Sequence, residues 1–307
     1  MQTPKQQTDL LMLGRSAHAL PSGYCLDQWE IQYVIGEGGF SLVYQAFDKD
    51  KQCEVAIKEY FPASISIRTS SQEVIARHAI HLATFNRGKA CFYQEAEILS
   101  RIHHPYIPHF LGSINKNNTV YIVTTLHHGF NLKKWYKDSP KALSQHWLTE
   151  FLLSLLDTVN AIHIKGYLHL DISWDNIQLQ DKATPILLDF GSARAFLTEQ
   201  QENILILKPG FSPPELYYHA DKENVGPWSD IYAIGALVYA LITGELPPVS
   251  LVRSIEDHYQ PLGMKNFKGY SSDFLKLIDK LLSIDIRTRP QTINSLIKQI
   301  KMITENK

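Results

Sequence analysis

The change in sequence pattern near residue 126 constrains the fold of this chain most strongly. Before it, apolar and β-branched residues gather in short runs separated by turn residues. After it, apolar residues recur at helical spacing, most clearly in HWLTEFLLSLLDTVNAIHIKG (146–166), which ends on Gly166 as a helix C-terminus should. Strands followed by helices predict an α+β fold, in which a small β-rich lobe precedes a larger, mostly α-helical lobe.

The small lobe is expected to contain five strands and one main helix. The strand candidates are WEIQYVIGEGG (29–39), SLVYQAFDK (41–49), CEVAIKEY (53–60), HFLGSIN (109–115) and TVYIVTTL (119–126). The helix candidate is CFYQEAEILSRI (91–102), because Phe92, Ala96 and Leu99 recur at helical spacing. The polar segment before this helix has only scattered apolar residues and predicts no regular element.

These patterns divide the chain into three parts. Residues 1–27 are polar and lack sustained periodicity, so we expect a tail that lies loosely on the domain. Residues 28–125 form the small lobe and residues 126–307 form the larger one. A ligand cleft is expected where the two lobes join.

The composition excludes some classes of protein. A chain of 307 residues with 44% apolar and 20% charged residues has the composition of an ordinary globular protein. The formal net charge of −1 argues against nucleic-acid binding, because such proteins normally carry a basic surplus. We therefore expect small anions or other proteins as partners.

Neither secretion nor a membrane span is expected. The apolar patch near the N-terminus is too short for the core of a signal peptide. The longest apolar run, IYAIGALVYALI (231–242), has roughly half of the ~20 residues that a membrane span needs, so we interpret it as a buried helix. Cys25, Cys53 and Cys91 predict neither a disulfide scaffold nor a zinc site, which favours the reducing cytoplasm.

A glycine-rich turn between the first two long strands is a candidate phosphate site. GEGGFSLV places Gly36, Gly38 and Ser41 in a G-x-G-x-x-(G/S)-x-V pattern. The glycines would let the backbone approach phosphates, and Val43 could pack on an adenine ring. A purely structural hairpin explains the motif equally well. A dinucleotide site is disfavoured, because a strand follows where that motif needs a helix.

Lys58 ends the apolar strand EVAIK and matches the V-A-I-K signature, whose lysine holds the α- and β-phosphates of ATP. A strand-terminal lysine reaching into solvent is an equally simple interpretation of the strand alone. Glu95 on the following helix could orient Lys58 by an ion pair. Glu97 lies on the same helix but faces another side.

Several motifs then follow one another in a fixed order. GEGGFSLV, VAIK, HLD, LLDFG, SPPE, SDIYAIG and RTRP occur with the separations typical of protein kinases. The chain resembles the protein kinase superfamily over about residues 28 to 300. The segments IKEYFPASISIR, LKPGFSPPELY and GPWSDIYAIGALVYALITG resemble a group of bacterial serine/threonine kinases. The resemblance implies a bilobal, protein-kinase-like fold.

The resemblance also implies the catalytic residues. Asp171 would be the base that accepts the proton of the substrate hydroxyl, with Lys58 and Glu95 as the phosphate-holding pair. Asn176 and Asp189 would hold Mg²⁺, because amide and carboxylate oxygens suit this hard cation. In the alternative interpretation, Asp171 and Asp189 are only turn or cap residues. The order of the motifs that contain them disfavours this.

The resemblance assigns a larger set to nucleotide binding. Thr124 falls at the gatekeeper position, and Thr125 and His127 would offer backbone hydrogen bonds to adenine. The full set of implied ATP-binding residues is Ile35, Gly36, Gly38, Ser41, Val43, Lys58, Thr125, His127, Asn176 and Asp189.

Other residues match supporting positions of the family. Glu215 in SPPE and Arg289 in RTRP would form a buried structural ion pair, and Asp230 would hydrogen-bond the backbone of the catalytic loop. His169 is interpreted as a packing and hydrogen-bonding residue. The other histidines, among them His103 and His104, are expected in loops.

The catalytic loop, YLHLDISWDN, departs from the family pattern at Leu170. An arginine is expected there, and it commonly pairs with a phosphorylated activation segment. Between Asp189 and Glu215 the hydroxyl groups are few, chiefly those of Ser192, Thr198 and Ser212. A phosphate switch of the usual kind is therefore not expected.

A second departure is Ser173, which stands where a catalytic-loop lysine is expected. Losing one preorganised donor typically lowers a rate by about 10²- to 10³-fold. Seven residues before Glu215, where the family often has a threonine, this chain has Lys208. We hypothesise that Lys208 reaches Asp171 and supplies the missing charge. In the alternative interpretation, Lys208 belongs only to the LKPGF turn and points away.

The predicted function is ATP- and Mg²⁺-dependent transfer of the γ-phosphoryl group to serine or threonine of protein substrates, including autophosphorylation. The alternative is a pseudokinase, a nucleotide-binding regulatory scaffold without phosphotransfer. Retention of Lys58, Asp171, Asn176 and Asp189 together favours the enzyme. A kinase of small molecules is disfavoured by the intact SPPE segment, which in the family shapes the surface that receives a protein.

Overall fold

A computed structural model describes residues 18–138, 143–181, 183–196, 207–218, 224–265 and 267–305. Residues 1–17 of the expected tail and the hydroxyl residue Thr198 lie outside these ranges. The chain divides into two compact units, the first comprising Met1–Ser100 with His109–Leu126 and the second Arg101–Pro108 with His127–Lys307.

The first unit is built on an antiparallel sheet of six strands in the order β1-β2-β3-β4-β8-β7, with a separate hairpin of β5 and β6. Its elements are β1 (Cys25–Leu26), β2 (Trp29–Glu37), β3 (Ser41–Asp48), β4 (Cys53–Tyr60), β5 (Ser66–Arg68), β6 (Val74–Ala76), a 3₁₀ turn (Ala79–His81), α1 (Leu82–Arg101), β7 (Phe110–Lys116) and β8 (Thr119–Thr125). The five long strands confirm the strands predicted from sequence.

Alternating side chains form the core of this unit. Leu42, Tyr44 and Ala46 of β3 are buried at every second position, as the period of two of a strand requires. Val55 and Ile57 of the neighbouring β4 are buried in the same way.

The main helix starts earlier than the sequence pattern predicts. Its first turns, from Leu82, are mostly exposed and are anchored by the buried Phe85. Gly88 permits the close approach of Tyr60, because a Cβ there would lie 2.1 Å from the tyrosine hydroxyl oxygen. Such a start depends on tertiary contacts and leaves little periodic signal in the sequence.

The β5–β6 hairpin, which the sequence pattern does not predict, is supported by a polar cluster. Arg68 on β5 forms a buried ion pair with Glu59 (Nη2–Oε2 2.6 Å). The hydroxyl group of Tyr44 donates to the same carboxylate oxygen (2.6 Å). Strands of three residues that depend on polar contacts carry no apolar alternation.

The described end of the expected tail is part of the fold, so the prediction of a loose tail is wrong there. Leu20 is buried and its N–H donates to the hydroxyl of Tyr44 (3.1 Å). The carbonyl of His18 accepts from Arg68 Nε (2.6 Å). Leu26 is fully buried in β1, which pairs with β2. Because these contacts bury isolated side chains, the segment has no apolar periodicity from which its contacts could be predicted.

The second unit is mostly helical and contains two small sheets, β10-β13 and β12-β11-β9. Its strands are β9 (Phe130–Asn131), β10 (Tyr167–Leu168), β11 (Ile177–Leu179), β12 (Pro185–Leu187) and β13 (Arg194–Ala195). Its α-helices are α2 (Leu132–Asp138), α3 (Gln145–Ile164), α4 (Pro227–Thr243), α5 (Ser250–Ile255), α6 (Ser272–Leu281) and α7 (Ile293–Glu305). Among the described residues, its 3₁₀ turns include Trp174–Asn176, Pro214–Leu216, Leu262–Met264 and Ile286–Thr288.

Helix α4 is the buried centre of this unit, as its apolar run predicts. Every residue from 229 to 241 is buried. Gly235 lets α6 approach closely, because a Cβ there would lie 2.6 Å from the Cβ of Leu281. Across the described part of the chain, none of the helices combines the length and the apolar character that a membrane span requires.

Candidate active site

The loop after β10 is fixed by one buried carboxylate. Asp230, near the start of α4, accepts hydrogen bonds from the backbone N–H groups of His169 (2.9 Å) and Leu170 (2.8 Å), as expected. Leu170 has a φ of 60°, in the left-handed region that costs an L-residue about 1–2 kcal/mol. Because hydrogen bonds to a charged acceptor contribute about 1.5–3 kcal/mol each, Asp230 can hold this turn.

Asp230 also contacts a histidine of α3. Nε2 of His163 lies 2.8 Å from Oδ2 of Asp230. This histidine lies in the helix that the apolar pattern of residues 146–166 predicts, but its contact with Asp230 was not expected. Its position four residues after the buried Val159 is the signal that places it on the buried face of the helix. Burial disfavours the carboxylate, but the hydrogen bond and charge of His163 outweigh it and lower the pKa of Asp230.

The two polar residues of the catalytic loop are joined directly. Nδ2 of Asn176 donates to the backbone carbonyl of Asp171 (2.9 Å) and to its carboxylate oxygen Oδ2 (2.8 Å). Both amide hydrogens are thereby directed into the loop. The amide oxygen of Asn176 is then the atom that can bind a cation.

Asp189 follows β12 with a φ of 60°, a backbone conformation that residues held at functional sites often adopt. Its carboxylate accepts from the N–H of Gly191 (3.2 Å). Phe190 is buried and packs edge-on against the ring of His169 at 5.0 Å. Together with the oxygen of Asn176, the carboxylate of Asp189 is a donor set that fits Mg²⁺, which usually takes one or two protein oxygens besides phosphates and waters.

Lys208 lies against Asp171. Its Nζ is 2.8 Å from Oδ1 of Asp171 and donates to Oγ of Ser173 (3.1 Å). The interpretation in which Lys208 points away is therefore wrong. Burial raises the pKa of Asp171, the ammonium of Lys208 acts in the opposite direction, and the charge of Asp189 adds to the rise.

His169 has the supporting position expected of it. The residue is fully buried, and its Nδ1 accepts from the N–H of Asp171 (3.3 Å). Burial lowers the pKa of His169, so the neutral ring is favoured. A neutral, enclosed ring supports the loop and has no access to a substrate.

In the first unit, Lys58 and Glu95 form the expected ion pair. The distance from Nζ to Oε1 is 2.6 Å, and the side chains are 18% and 2% exposed. Glu97 is exposed, in agreement with its assignment to another face of α1. Lys58 is paired with Val43 in the β3–β4 ladder, so the structure brings these two predicted site residues together.

In the glycine-rich hairpin, no neighbouring atom of the chain requires glycine at positions 36 and 38. The N–H of Gly38 donates to the carbonyl of Ser41 (2.9 Å) and closes the turn. A Cβ at Gly38 would meet only Ser41, at 3.8 Å, and one at Gly36 would be in ordinary contact with Val43 at 3.5 Å. Ile35 is half exposed. The hairpin itself would therefore accept a Cβ at either glycine, and the predicted approach of a phosphate chain to the backbone stays a prediction.

The end of β8 and the segment after it contain the residues implied for adenine. The N–H of Thr125 donates to the carbonyl of His109 (2.9 Å). The hydrogen bond expected from Thr125 to adenine is thus assigned to its carbonyl oxygen, which can accept more than one bond. Burial, with a smaller effect of His128, lowers the pKa of His127. Thr124 pairs with Ala56 in the sheet.

The predicted pair of Glu215 and Arg289 is present and bidentate. The distances are 2.7 Å for Nη1–Oε1 and 3.1 Å for Nη2–Oε2, with both side chains buried. Ser229 of α4 also donates to Glu215 (2.8 Å). This pair ties the SPPE segment to the loop before α7 and supports the fold.

Leu170 takes part in an apolar cluster. It packs with Leu168 and Leu216, and the partly buried Leu207 and Val225 pack against them. Leu207 directly precedes Lys208. The residue that replaces the expected arginine therefore belongs to an apolar cluster against which the segment carrying Lys208 packs.

These features coincide with a family match. The model of the protein kinase domain matches residues 29–301, and the chain belongs to this family. The α+β prediction is confirmed: the chain has the protein kinase fold, with a β-rich N-lobe and a helical C-lobe.

Among curated proteins, the chain is similar to the serine/threonine-protein kinase pakH of Dictyostelium discoideum. The two are 25% identical over 266 residues, which cover 85% of this chain and 47% of pakH. CBL-interacting protein kinase 25 of Oryza sativa subsp. japonica is 24% identical over 284 residues, covering 89% of this chain and 51% of that protein. The chain thus spans about half the length of these relatives.

Two solved structures are also similar. The structure described as PpkA-294 apo form is 42% identical, with a TM-score of 0.84, covering 92% of this chain and 100% of that one. The PknI kinase domain of Mycobacterium tuberculosis is 18% identical, with a TM-score of 0.69, covering 93% and 99%. The second likeness shows the shared fold alone.

Proposed function

We propose that this chain transfers the γ-phosphoryl group of ATP to serine and threonine hydroxyls of protein substrates, including its own. Membership of the protein kinase domain family and the serine/threonine kinase named among its relatives support this. None of Cys25, Cys53 and Cys91, all of which the structure describes, forms a disulfide, and we propose that the reaction takes place in the cytoplasm.

The reaction forms one bond and breaks one. The hydroxyl oxygen of the substrate bonds to the γ-phosphorus, and the bond from that phosphorus to the bridging oxygen breaks, its electron pair leaving with ADP. Asp171 accepts the hydroxyl proton. Burial favours this role because it raises the pKa of Asp171 and makes the carboxylate a better base.

The remaining site residues position the nucleotide. Lys58, oriented by Glu95, contacts the α- and β-phosphates, and the hairpin containing Gly36 and Gly38 covers the phosphate chain. The adenine ring packs between apolar groups, donates a hydrogen bond to the backbone carbonyl of Thr125 and accepts one from the backbone N–H of His127. The apolar residues assigned to it are Ile35 and Val43. Bound at Asn176 and Asp189, Mg²⁺ would neutralise phosphate charge.

One observation carries this proposal: the hydrogen bond of 2.8 Å between Nδ2 of Asn176 and Oδ2 of Asp171. It holds the proposed base in place and turns the amide oxygen of Asn176 toward a cation. A loop that only supported the fold would have no need of this double orientation.

The test is phosphorylation with γ-labelled ATP and Mg²⁺, of the protein itself and of a degenerate library of serine- and threonine-containing peptides. Wild type should label both, and Asp189→Asn should lose the label. Asp273→Asn, an exposed aspartate on α6 with a side chain 77% exposed, is the control and should label like wild type. Phosphoamino-acid analysis should find phosphoserine and phosphothreonine.

An unlabelled wild type that still binds ATP, measured with a fluorescent analogue, would contradict phosphotransfer and favour the regulatory scaffold. Label on tyrosine alone would contradict the assignment of the acceptor.

A further inference from the structure

The backbone around Lys208 is a closed turn. The carbonyl of Lys208 accepts from the N–H groups of Phe211 (3.0 Å) and Ser212 (2.9 Å), and its own N–H donates to Oγ of Ser212 (2.8 Å). Gly210 adopts a φ of 88°, where a side chain would be strained and its Cβ would lie 3.0 Å from Leu246. The turn therefore fixes the origin of the Lys208 side chain.

The side chain crosses from this turn to the catalytic loop. Its ammonium contacts Oδ1 of Asp171 at 2.8 Å and Oγ of Ser173 at 3.1 Å, and it is 28% exposed. An ammonium has three N–H donors. Within the described residues these contacts use two of them, so the third can donate to an incoming oxygen.

This position is where negative charge gathers during the proposed reaction. Asp171 and Asp189 are near enough to raise each other's cost of ionisation, and the phosphates of ATP add further negative charge. A preorganised cation beside the reacting group stabilises the transition state more than it would in water, because it needs no reorientation.

Ser173 is the counterpart of this lysine. It is fully buried, and its hydroxyl accepts from the ammonium of Lys208. A lysine side chain at position 173 would start within reach of the same place. Relative to the pattern expected from the family, the hydroxyl and the ammonium have exchanged places between positions 173 and 208.

We propose that Lys208 is a catalytic residue, whose ammonium contacts the transferring phosphoryl group and supplies the charge that Ser173 cannot. This inference rests on the proposed kinase function and adds no reactant to the step written above. It also means that the catalytic cation is present only when residues 207–212 form their turn.

The test compares four proteins, wild type, Lys208→Thr, Ser173→Lys and the double variant carrying both changes, with labelled ATP, Mg²⁺ and the peptide library. Lys208→Thr should lower kcat about 10²- to 10³-fold. Affinity for a fluorescent ATP analogue should stay within about three-fold, because Lys208 contacts the reacting centre and not the adenine. The double variant should regain at least ten-fold over Lys208→Thr, since it returns an ammonium to the same place.

Two further variants separate chemistry from folding. Lys208→Arg keeps the cation and should retain more activity than Lys208→Thr. Lys298→Met, an exposed lysine on α7, should be unchanged in kcat and thermal midpoint. A loss of activity in Lys208→Thr that follows a collapsed thermal midpoint, with no recovery in the double variant, would overturn the catalytic assignment.

The outcomes also separate this inference from the function on which it rests. A wild type that labels nothing overturns both. A wild type that labels peptides while Lys208→Thr turns over at the same rate overturns the catalytic role of Lys208 and leaves the kinase function standing.

Discussion

Asp171 in the loop after β10 and Asp230, which holds that loop, have opposite pKa shifts, and the difference separates the proposed base from a supporting group. Burial raises the pKa of Asp171, although Lys208 opposes the rise. Asp230 is buried more completely, yet its pKa is lowered because His163 and the backbone N–H groups of the loop hydrogen-bond its charged form. Burial alone thus does not decide the direction of the shift; the hydrogen bonds and charges around each carboxylate do.

Asp230→Asn should destabilise the protein and slow it. In wild type, the N–H groups of His169 and Leu170 each donate to one carboxylate oxygen of Asp230. In the variant, the amide NH₂ group would replace one of these oxygens and would face an N–H donor from which it cannot accept a hydrogen bond. An unsatisfied buried donor costs about 1–3 kcal/mol, and we expect the free energy of unfolding to fall by that amount. The turn at Leu170 would loosen, and kcat should fall about ten-fold. Denaturant unfolding and peptide phosphorylation measure the two effects.

Asp273→Asn again serves as the control, and its free energy of unfolding should stay within about 0.5 kcal/mol of wild type. If Asp230→Asn matched this control in stability, the turn at Leu170 would have to be held by other contacts.

At the residue scale, the site residues that can be predicted from the sequence are those that lie in motifs with a fixed order along the chain. Asp171, Asn176 and Lys58 follow from such motifs, and the position of Lys208 seven residues before Glu215 suggests its contact with Asp171. The contact of His163 with Asp230 does not follow, because it joins a helix and a segment 67 residues apart with no motif linking them.

At the scale of elements, the segment carrying Lys208 is held by apolar packing at the place where the family commonly uses an arginine. Leu207, which is partly buried, packs against the cluster of Leu168, Leu170 and Leu216. Apolar area removed from water stabilises by roughly 25 cal/mol per Å² without any modification of the chain. The segment can therefore keep its position without a phosphate.

We expect phosphatase treatment of the wild type to leave its initial rate of peptide phosphorylation within about two-fold. Leu170→Arg should lower that rate at least ten-fold, because it introduces a charge among apolar side chains. Leu170→Met keeps the volume and should cost less than about 1.5 kcal/mol of stability. A dephosphorylated wild type without activity would show that a phosphate is needed after all.

The elements that the sequence predicts well are those with a strong period. The strands β2, β3, β4 and β8 and the helices α3 and α4 each present a regular apolar pattern. The β5–β6 hairpin and the first turns of α1 depend on single anchors, such as the Arg68–Glu59 pair and Phe85. Contacts between distant segments determine these elements, and a local pattern cannot contain them.

At the scale of the whole molecule, the folded part begins before the family match. The match starts at residue 29, whereas Leu20 and Leu26 are already buried and the carbonyl of His18 accepts from Arg68. Residues 18–28 therefore pack on the first unit, and Cys25–Leu26 add a strand to its sheet.

A chain that begins at Trp29 should be less stable than one that begins at His18. Loss of two buried leucines lowers the free energy of unfolding by about 3–6 kcal/mol, and Tyr44 and Arg68 lose hydrogen-bond partners as well. The thermal midpoints of the two chains should be measured side by side without an ATP analogue. Equal midpoints would mean that these contacts contribute nothing to stability.

The contact between Lys208 and Ser173 also bears on how kinases are sorted from their sequences. A filter that reads only the residues next to the catalytic aspartate finds a serine and would discard this chain as inactive. The lysine stands 35 positions further along, yet its Nζ lies 2.8 Å from Asp171. Proximity in the folded chain, and not position in the motif, is the criterion by which such chains should be retained or discarded.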